Sequence, residues 1–112
     1  METMAPADGE TVEVVDGVYL TQLCVGESMS AQQFHIEPGA TVPEHSHHHE
    51  QIGVVLTGTM TLVVDGAEHV VASGESYVVP GGEAHTAENR GEEPVRGIDV
   101  FSPPRADPDW MD

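Results

Sequence analysis

The segment PEHSHHHEQ, residues 43–51, concentrates side chains that can bind a metal ion. It holds Gln51 and four of the seven histidines of the chain, His45, His47, His48 and His49. Neutral imidazole and amide oxygen both suit divalent transition metals, and such a site needs at least one more ligand from elsewhere in the fold. His85, in the segment PGGEAH, is the candidate. The sequence therefore predicts a site for one divalent transition metal ion.

Strand periodicity separates the clustered histidines. If residues 45–48 are extended, His45 and His47 point to one face and His48 points to the other, where it would be a solvent-exposed residue. His49 falls where the chain should turn between strands, so we expect neither His48 nor His49 to bind the metal. His35 and His69 lie in other predicted strands and are expected to be ordinary strand residues.

The elements that must position these residues are short strands. Asp16-Gly17 and Asp65-Gly66 are hairpin signals between strand-like runs, and glycine and proline punctuate the rest of the chain. About eight short strands predict an all-β fold, either a closed barrel or a double-sheet jelly roll. The 112 residues suit one domain, with a flexible lead-in over residues 1–10, a barrel over 11–105 and a tail over 106–112. Trp110 in that tail is a candidate cover for apolar surface.

Composition excludes some partners. The 20 acidic residues face three arginines and no lysine, which gives a net charge of −17. Such a surface repels nucleic acid and anionic membranes, and it resembles proteins of salt-loving organisms. The chain shows neither a signal-peptide pattern nor an apolar run of membrane-spanning length, so we expect a cytoplasmic protein. Small barrels with exposed edges commonly pair, so we also expect a homodimer.

Two spaced motifs resemble those of the cupins. Residues 39–58 read G-x5-H-x-H-x3-Q-x6-G, and residues 74–89 read G-x5-P-x-G-x2-H-x3-N. The resemblance implies a small jelly-roll β-barrel that binds one metal ion through His45, His47 and His85. Many cupins carry glutamate as a fourth ligand, where this chain has Gln51, and Glu50 is one residue off that spacing. We favour Gln51, and Mn, Fe, Ni and Zn all remain candidates for the metal.

The segment DVFSPPR near the C-terminus has the spacing D-x-F-x3-R. It looks like that of the small cupins of pectin and alginate breakdown, which open 4,5-unsaturated uronate monosaccharides to linear 5-keto-4-deoxyuronates. The resemblance implies a small anionic sugar-acid substrate. Asp99 would move a proton, Arg105 would bind the substrate anion and Phe101 would form a dry wall.

Three other interpretations stay open at the level of sequence. In the first, Asp99 has only a structural role, in which it caps the sheet or pairs with Arg96 or Arg105. A metal-dependent dioxygenase that cleaves a diketone or phenolic compound is a second enzyme class, although Gln51 and Arg105 count against it. A non-catalytic cupin that binds sugar acids is the third.

Overall fold

The computed structural model describes residues 1–106 and 108. Within them the chain forms ten β-strands and one short 3-10 helix. The helix is Pro6–Asp8, and the strands are β1 Thr11–Val15, β2 Val18–Val25, β3 Ser30–Ile36, β4 Thr41–His45, β5 Glu50–Thr57, β6 Thr59–Val64, β7 Ala67–Ala72, β8 Ser76–Val79, β9 His85–Glu88 and β10 Val95–Ser102.

The strands form two antiparallel sheets. One sheet has six strands in the order β1-β2-β3-β10-β5-β8, and the other has four in the order β4-β9-β6-β7. Strand β10 lies between β3 and β5 and is far from both in sequence. It therefore joins the two halves of the larger sheet. The all-β jelly-roll prediction is confirmed, in the form of two facing sheets rather than one hydrogen-bonded ring of the described strands.

Both predicted hairpins are present. Val15 pairs with Val18 across Asp16-Gly17, and Gly17 has a φ of +76°. The second hairpin joins β6 to β7, and both of its turn residues have positive φ, +52° for Asp65 and +78° for Gly66. Positive φ at both central positions is the requirement of a type I′ turn, which matches the twist of the strands it joins.

One of the passages from the larger sheet to the smaller one occurs at Gly58, between β5 and β6. Gly58 has a φ of +80°, and a Cβ placed on it would lie 2.5 Å from the carbonyl oxygen of Pro94. Only glycine meets both conditions, because it accepts positive φ and has no side chain. This turn lets one continuous segment contribute to both walls of the molecule.

Apolar side chains of the two sheets pack against each other to form the core. Its buried members are Val18, Phe34, Ile36, Val55, Met60, Leu62, Val71, Ala87 and Val95. Hydrophobic burial is the main force that stabilises such a sandwich. Some of these core residues also line a cavity between the sheets, which they share with polar residues that include His45 and His85.

The structure differs from the sequence expectations at one strand. Strand β9 was not expected, because its sequence HTAE has little apolar content, yet it pairs with both β4 and β6. The lead-in contains an ordered turn at Pro6–Asp8. Trp110 lies outside the described residues, and the domain boundaries stay a prediction.

None of the described residues belongs to a helix long and apolar enough to cross a lipid bilayer.

Candidate metal centre

Three histidines from two strands and one loop meet at one end of the space between the sheets. His45 ends β4, His85 begins β9, and the two residues are paired across the strands. His47 lies in the loop before β5, and one ring nitrogen from each of the three histidines lies within 4.8 Å of the others. The expectation that residues 45–48 continue one strand is wrong, because β4 ends at His45. The loop, not strand alternation, brings His47 to the site.

Each of these rings is oriented by a backbone carbonyl. The Nδ1 atoms of His45 and His85 lie 2.9 Å from the carbonyl oxygens of Pro43 and Glu83. The Nδ1 atom of His47 lies 3.1 Å from the backbone carbonyl oxygen of His49. A carbonyl oxygen only accepts hydrogen bonds, so these contacts favour a proton on Nδ1 and leave Nε2 as the metal-binding nitrogen.

The environment of His47 and His85 favours the neutral form of the imidazole, which is the form that binds metals. Burial, with help from the Arg105 and His85 charges, lowers the pKa of His47 to about 4. Burial also lowers the pKa of His85, whose Nε2 atom is buried without a hydrogen-bond partner. A neutral imidazole with an unpartnered buried nitrogen fits a metal ligand, because the ion would supply the missing partner.

Gln51 adds an oxygen to this group. It is buried on the inner face of β5, and its Oε1 atom lies 3.1 Å from the Nε2 atom of His47. Its neighbour Glu50 is exposed. The position of Gln51 therefore fits the fourth ligand of the sequence prediction, and the residues present can hold a divalent ion with four neutral groups.

The two remaining clustered histidines lie outside this group. His48 is exposed, as expected for a solvated residue. His49 is buried, and its ring contacts the rings of His47 and Phe101 with centroid distances of 5.4 and 6.0 Å. Burial lowers the pKa of His49 as well. Its burial follows from packing against Phe101, which the sequence did not indicate.

The histidines away from the cluster have other roles. His35, on the outer face of β3, accepts a hydrogen bond from Arg96 Nε at 3.1 Å, and its Nε2 atom lies 2.9 Å from Glu37. His69 is exposed in β7. Arg96 is thus engaged on the outer side of the sheet, opposite to Asp99.

Asp99 lies inside the molecule on β10. It is 6% exposed and accepts a hydrogen bond of 2.5 Å from the hydroxyl group of Tyr77 and another from the side chain of Gln51. Burial raises the pKa of its carboxyl group from 3.8 to about 6, although these hydrogen bonds and the Arg105 charge oppose the shift. The pKa of Tyr77 is also raised, mainly by burial and then by the negative charge of Asp99. Asp99 is thus a carboxyl group with a pKa of about 6, and it interacts with the proposed metal ligand Gln51.

Phe101 and Arg105 form the wall beside the histidines. Phe101 is 2% exposed, and its ring lies edge-on to that of His47 at 5.5 Å between centroids. The guanidinium carbon of Arg105 lies 5.3 Å from the centre of the same ring. Two hydrogen bonds attach the Arg105 backbone to the larger sheet. Its N–H group donates to Ser30 Oγ at 2.7 Å, and its carbonyl oxygen accepts from Gln22 Nε2 at 3.0 Å. These bonds return the chain over the cavity.

The cavity between the sheets joins these groups. It is small, with a volume of about 70 Å³, and it is partly open to solvent. Its polar lining is His45, His85, Gln51, Gln32, Tyr77, Asp99 and Arg105, and its apolar part includes Phe34, Met60 and Leu62. These polar groups suit a small ligand with a charged or hydroxylated end.

A family model for the cupin domain matches residues 32–101, well over half of the chain. The chain belongs to the cupin family. The match extends from β3 to β10 and includes the three histidines, Gln51 and Asp99. The cupin resemblance of the two sequence motifs is thereby confirmed.

Solved structures similar to this cupin cover nearly all of it. An RmlC-like cupin from Shewanella frigidimarina is 27% identical, with a TM-score of 0.83, and the match covers 96% of this chain and 95% of that one. KdgF from Halomonas sp. is 25% identical, with a TM-score of 0.85 and coverage of 96% and 97%. The polyketide cyclase RemF from Streptomyces resistomycificus, at 24% identity and a TM-score of 0.79, shares the fold, with coverage of 91% and 79%.

A curated relative matches part of this cupin. It is the H2HPP isomerase of Bacillus subtilis, which is 33% identical over 67 residues, or 60% of this chain. The chain spans only 28% of the length of that relative.

Sequence reasoning missed several residues of this cavity. Tyr77 and Gln32 line it, and Gly53 lies between Tyr77 and Asp99. A signal for Gly53 was available, because a glycine inside a strand often marks a close approach of other groups. Tyr77 could be recognised only from the order of the strands, which brings β8 next to β5.

Proposed function

We propose that this cupin is a metal-dependent enzyme that opens the ring of 4,5-unsaturated uronate monosaccharides and converts them to linear 5-keto-4-deoxyuronates. The observation that carries the proposal is a buried carboxylate, Asp99, in the same cavity as Arg105 and two of the three clustered histidines, His45 and His85. The D-x-F-x3-R spacing and the similarity to KdgF support it. The relative named as an isomerase acts in the same broad reaction class.

The reaction requires only the movement of a proton. The hydroxyl group on C1 loses its proton, the bond between C1 and the ring oxygen breaks, C1 becomes an aldehyde, and the ring oxygen becomes the enolate oxygen on C5. C4 then gains a proton and C5 becomes a ketone. Substrate and product are isomers, so no oxidant or second substrate is needed. One group that accepts a proton and returns it is sufficient.

Asp99 suits this role. Its pKa of about 6 lies close to neutral pH, where a carboxyl group exchanges protons in both directions. It is buried, so bulk water does not compete for the proton. Asp99 accepts the proton from the C1 hydroxyl group and delivers it to C4.

Arg105 and the metal ligands account for the preference for an acid. Arg105 lines the cavity, where its guanidinium group binds the substrate carboxylate by charge-assisted hydrogen bonds. His45, His47, His85 and Gln51 are neutral, so they leave the full charge of a divalent ion uncompensated. When bound, that ion supplies a Lewis acid that stabilises negative charge on oxygen. Both features favour an anionic substrate.

The direct test uses purified protein and unsaturated galacturonate. The absorbance of the conjugated alkene should disappear faster than in buffer alone, with the metal content confirmed by elemental analysis. Asp99→Ala serves as the matched variant, and it should keep the metal but lose most of the acceleration. If the metal-loaded protein gives only the spontaneous rate, the proposal is wrong.

An oxygen-dependent cleavage enzyme is the second candidate. The apolar part of the cavity, with Phe34, Met60 and Leu62, favours it because such enzymes act on apolar diketones or phenolic compounds. Gln51 and Arg105 count against it, since those sites more often contain a glutamate ligand and an uncharged pocket. Oxygen consumption with a diketone, in the absence of uronate turnover, would favour this candidate.

A non-catalytic cupin that binds sugar acids is the third candidate. It requires the metal ligands and Arg105 but makes no demand on Asp99. Saturated galacturonate would then bind wild-type protein and Asp99→Ala equally well, and neither protein would accelerate the ketonisation.

A further inference from the structure

Tyr77, Gly53 and Asp99 form a row across three neighbouring strands. Gly53 of β5 is paired with Tyr77 of β8 on one side and with Asp99 of β10 on the other. Tyr77 reaches across the middle strand, and its hydroxyl group donates a 2.5 Å hydrogen bond to Oδ1 of Asp99. The two interacting side chains therefore come from strands that are not adjacent.

Gly53 provides the space for this contact. A Cβ at position 53 would lie 2.2 Å from Cζ of Tyr77, 2.3 Å from its hydroxyl oxygen and 2.4 Å from Oδ1 of Asp99. Real Cβ atoms do not approach other atoms so closely, so any side chain would push the pair apart. Gly53 does not have positive φ, so space and not backbone conformation explains the glycine.

We propose that Tyr77 is a positioning residue for Asp99 and that Gly53 allows it to act. The inference rests on the proposed function, in which Asp99 moves the proton. The hydrogen bond from Tyr77 holds Oδ1 of the Asp99 carboxylate, and the side chain of Gln51 contributes a second interaction, so together they limit the rotation of the carboxylate in the cavity. Asp99 then meets the substrate with one defined oxygen, because Oδ1 is already engaged by Tyr77.

Orientation matters because the carboxylate must serve two substrate atoms, the hydroxyl oxygen on C1 and the carbon C4. A rotation of the carboxylate that improves one transfer impairs the other. Misplacement of a reacting group by about 1 Å can slow a reaction about 100-fold. The loss of the Tyr77 hydroxyl group should therefore reduce turnover without weakening substrate or metal binding.

Tyr77→Phe tests this inference because it removes only the hydroxyl group. We expect kcat for the unsaturated uronate to fall about 10- to 100-fold, with KM and metal content within twofold of wild type. Tyr19→Phe is the matched control, since Tyr19 is on β2 and borders a different surface depression. It should leave kcat unchanged. A wild-type kcat in Tyr77→Phe would overturn the inference.

Gly53→Ala tests the same contact from the other side. It keeps both side chains but separates them, so it should reproduce the kcat defect of Tyr77→Phe. The double variant should be no slower than the slower single variant, because both changes break one contact. Fully additive losses would contradict the inference. Gly91→Ala is the control, since the nearest atom to a Cβ there is 3.5 Å away. If Gly53→Ala does not fold, Tyr77→Phe decides alone.

A measurement independent of turnover separates this inference from the proposed function. In a crystal structure of metal-loaded Tyr77→Phe, the Asp99 carboxylate should be rotated from its wild-type orientation or occupy more than one. An unchanged carboxylate would overturn the positioning role. If wild-type protein does not convert unsaturated uronates, the proposed function fails, and this comparison of structures still decides whether Tyr77 positions Asp99.

Discussion

The Nε2 atom of His47 lies 3.1 Å from the amide oxygen of Gln51, while its Nδ1 atom lies 3.1 Å from the carbonyl oxygen of His49. A neutral imidazole has a single N–H group, so it can donate to only one of these two oxygens. Burial lowers the pKa of His47 to about 4, which disfavours the doubly protonated ring at neutral pH. A cation between Nε2 and the amide oxygen resolves the conflict, because Nδ1 then donates and Nε2 accepts.

The first prediction concerns metal content. His85→Ala should reduce the bound divalent metal per chain at least about tenfold, because even residues that only support a metal ligand typically contribute 10- to 100-fold in affinity. Elemental analysis after gel filtration measures it. His48→Ala is the matched control, since His48 is exposed in the same cluster and should keep its metal. Equal loss in both variants would contradict the assignment.

The second prediction concerns stability and pH. Burial raises the pKa of Asp99 from 3.8 to about 6, so the folded protein binds this proton more tightly than the unfolded chain does. The charged form therefore destabilises the fold above about pH 6, and this penalty disappears as the pH falls towards 4. Asp99→Asn lacks the charge, so it should be more stable than wild type at pH 7.5 by up to about 3 kcal/mol.

The measurement is urea denaturation of both metal-free proteins at several pH values. The difference in free energy of unfolding between Asp99→Asn and wild type should shrink as the pH falls from about 6 to about 4. Other titrating groups contribute equally to both proteins and cancel in this difference. A difference that stays constant with pH would mean that the Asp99 carboxyl group is not perturbed by burial.

The third prediction concerns recognition of the anion. Arg105→Gln should raise KM for the unsaturated uronate about 10- to 100-fold, because a hydrogen bond to a charged group contributes about 1.5–3 kcal/mol. Steady-state kinetics measures it. Arg96→Gln removes the same charge from the outer face of the sheet and serves as the control. Similar KM values for the two variants would mean that Arg105 acts only through net charge.

The fourth prediction concerns salt. A chain with 20 acidic and three basic residues repels itself, and salt screens this repulsion because the Debye length falls to about 3 Å at 1 M. The melting temperature should therefore rise substantially between 0.1 and 2 M KCl, as measured by differential scanning fluorimetry. An unchanged melting temperature over this range would argue against adaptation to high salt.

Local sequence predicted most of the strands because turn residues mark their ends. Asp65-Gly66 defined a hairpin, and the spacing of His45 and His85 indicated a shared site before any contact was known. The contact of Tyr77 with Asp99 could not be predicted, since it depends on β5 lying between β8 and β10. Strand order is set by packing over the whole sheet, and the residues near Tyr77 in sequence do not indicate it.

The last prediction concerns self-association. Ile52, Leu56 and Val78 lie on the outer side of β5 and β8 and are 55%, 53% and 57% exposed. The outward side chains next to them include Val54 on β5 and Ile98 on β10, and Glu50 lies at one end of this face. In a chain with a net charge of −17, a mostly apolar face is where two copies can approach with least repulsion.

We therefore expect a homodimer that buries this face. Light scattering coupled to gel filtration should give twice the chain mass of 11.9 kDa. Leu56→Glu should shift the protein to the monomer, because it introduces a charge into the contact. Val70→Glu is the matched control, since Val70 is 67% exposed on β7 of the other sheet and should leave the dimer intact. Dissociation by Val70→Glu but not by Leu56→Glu would place the contact on the smaller sheet instead.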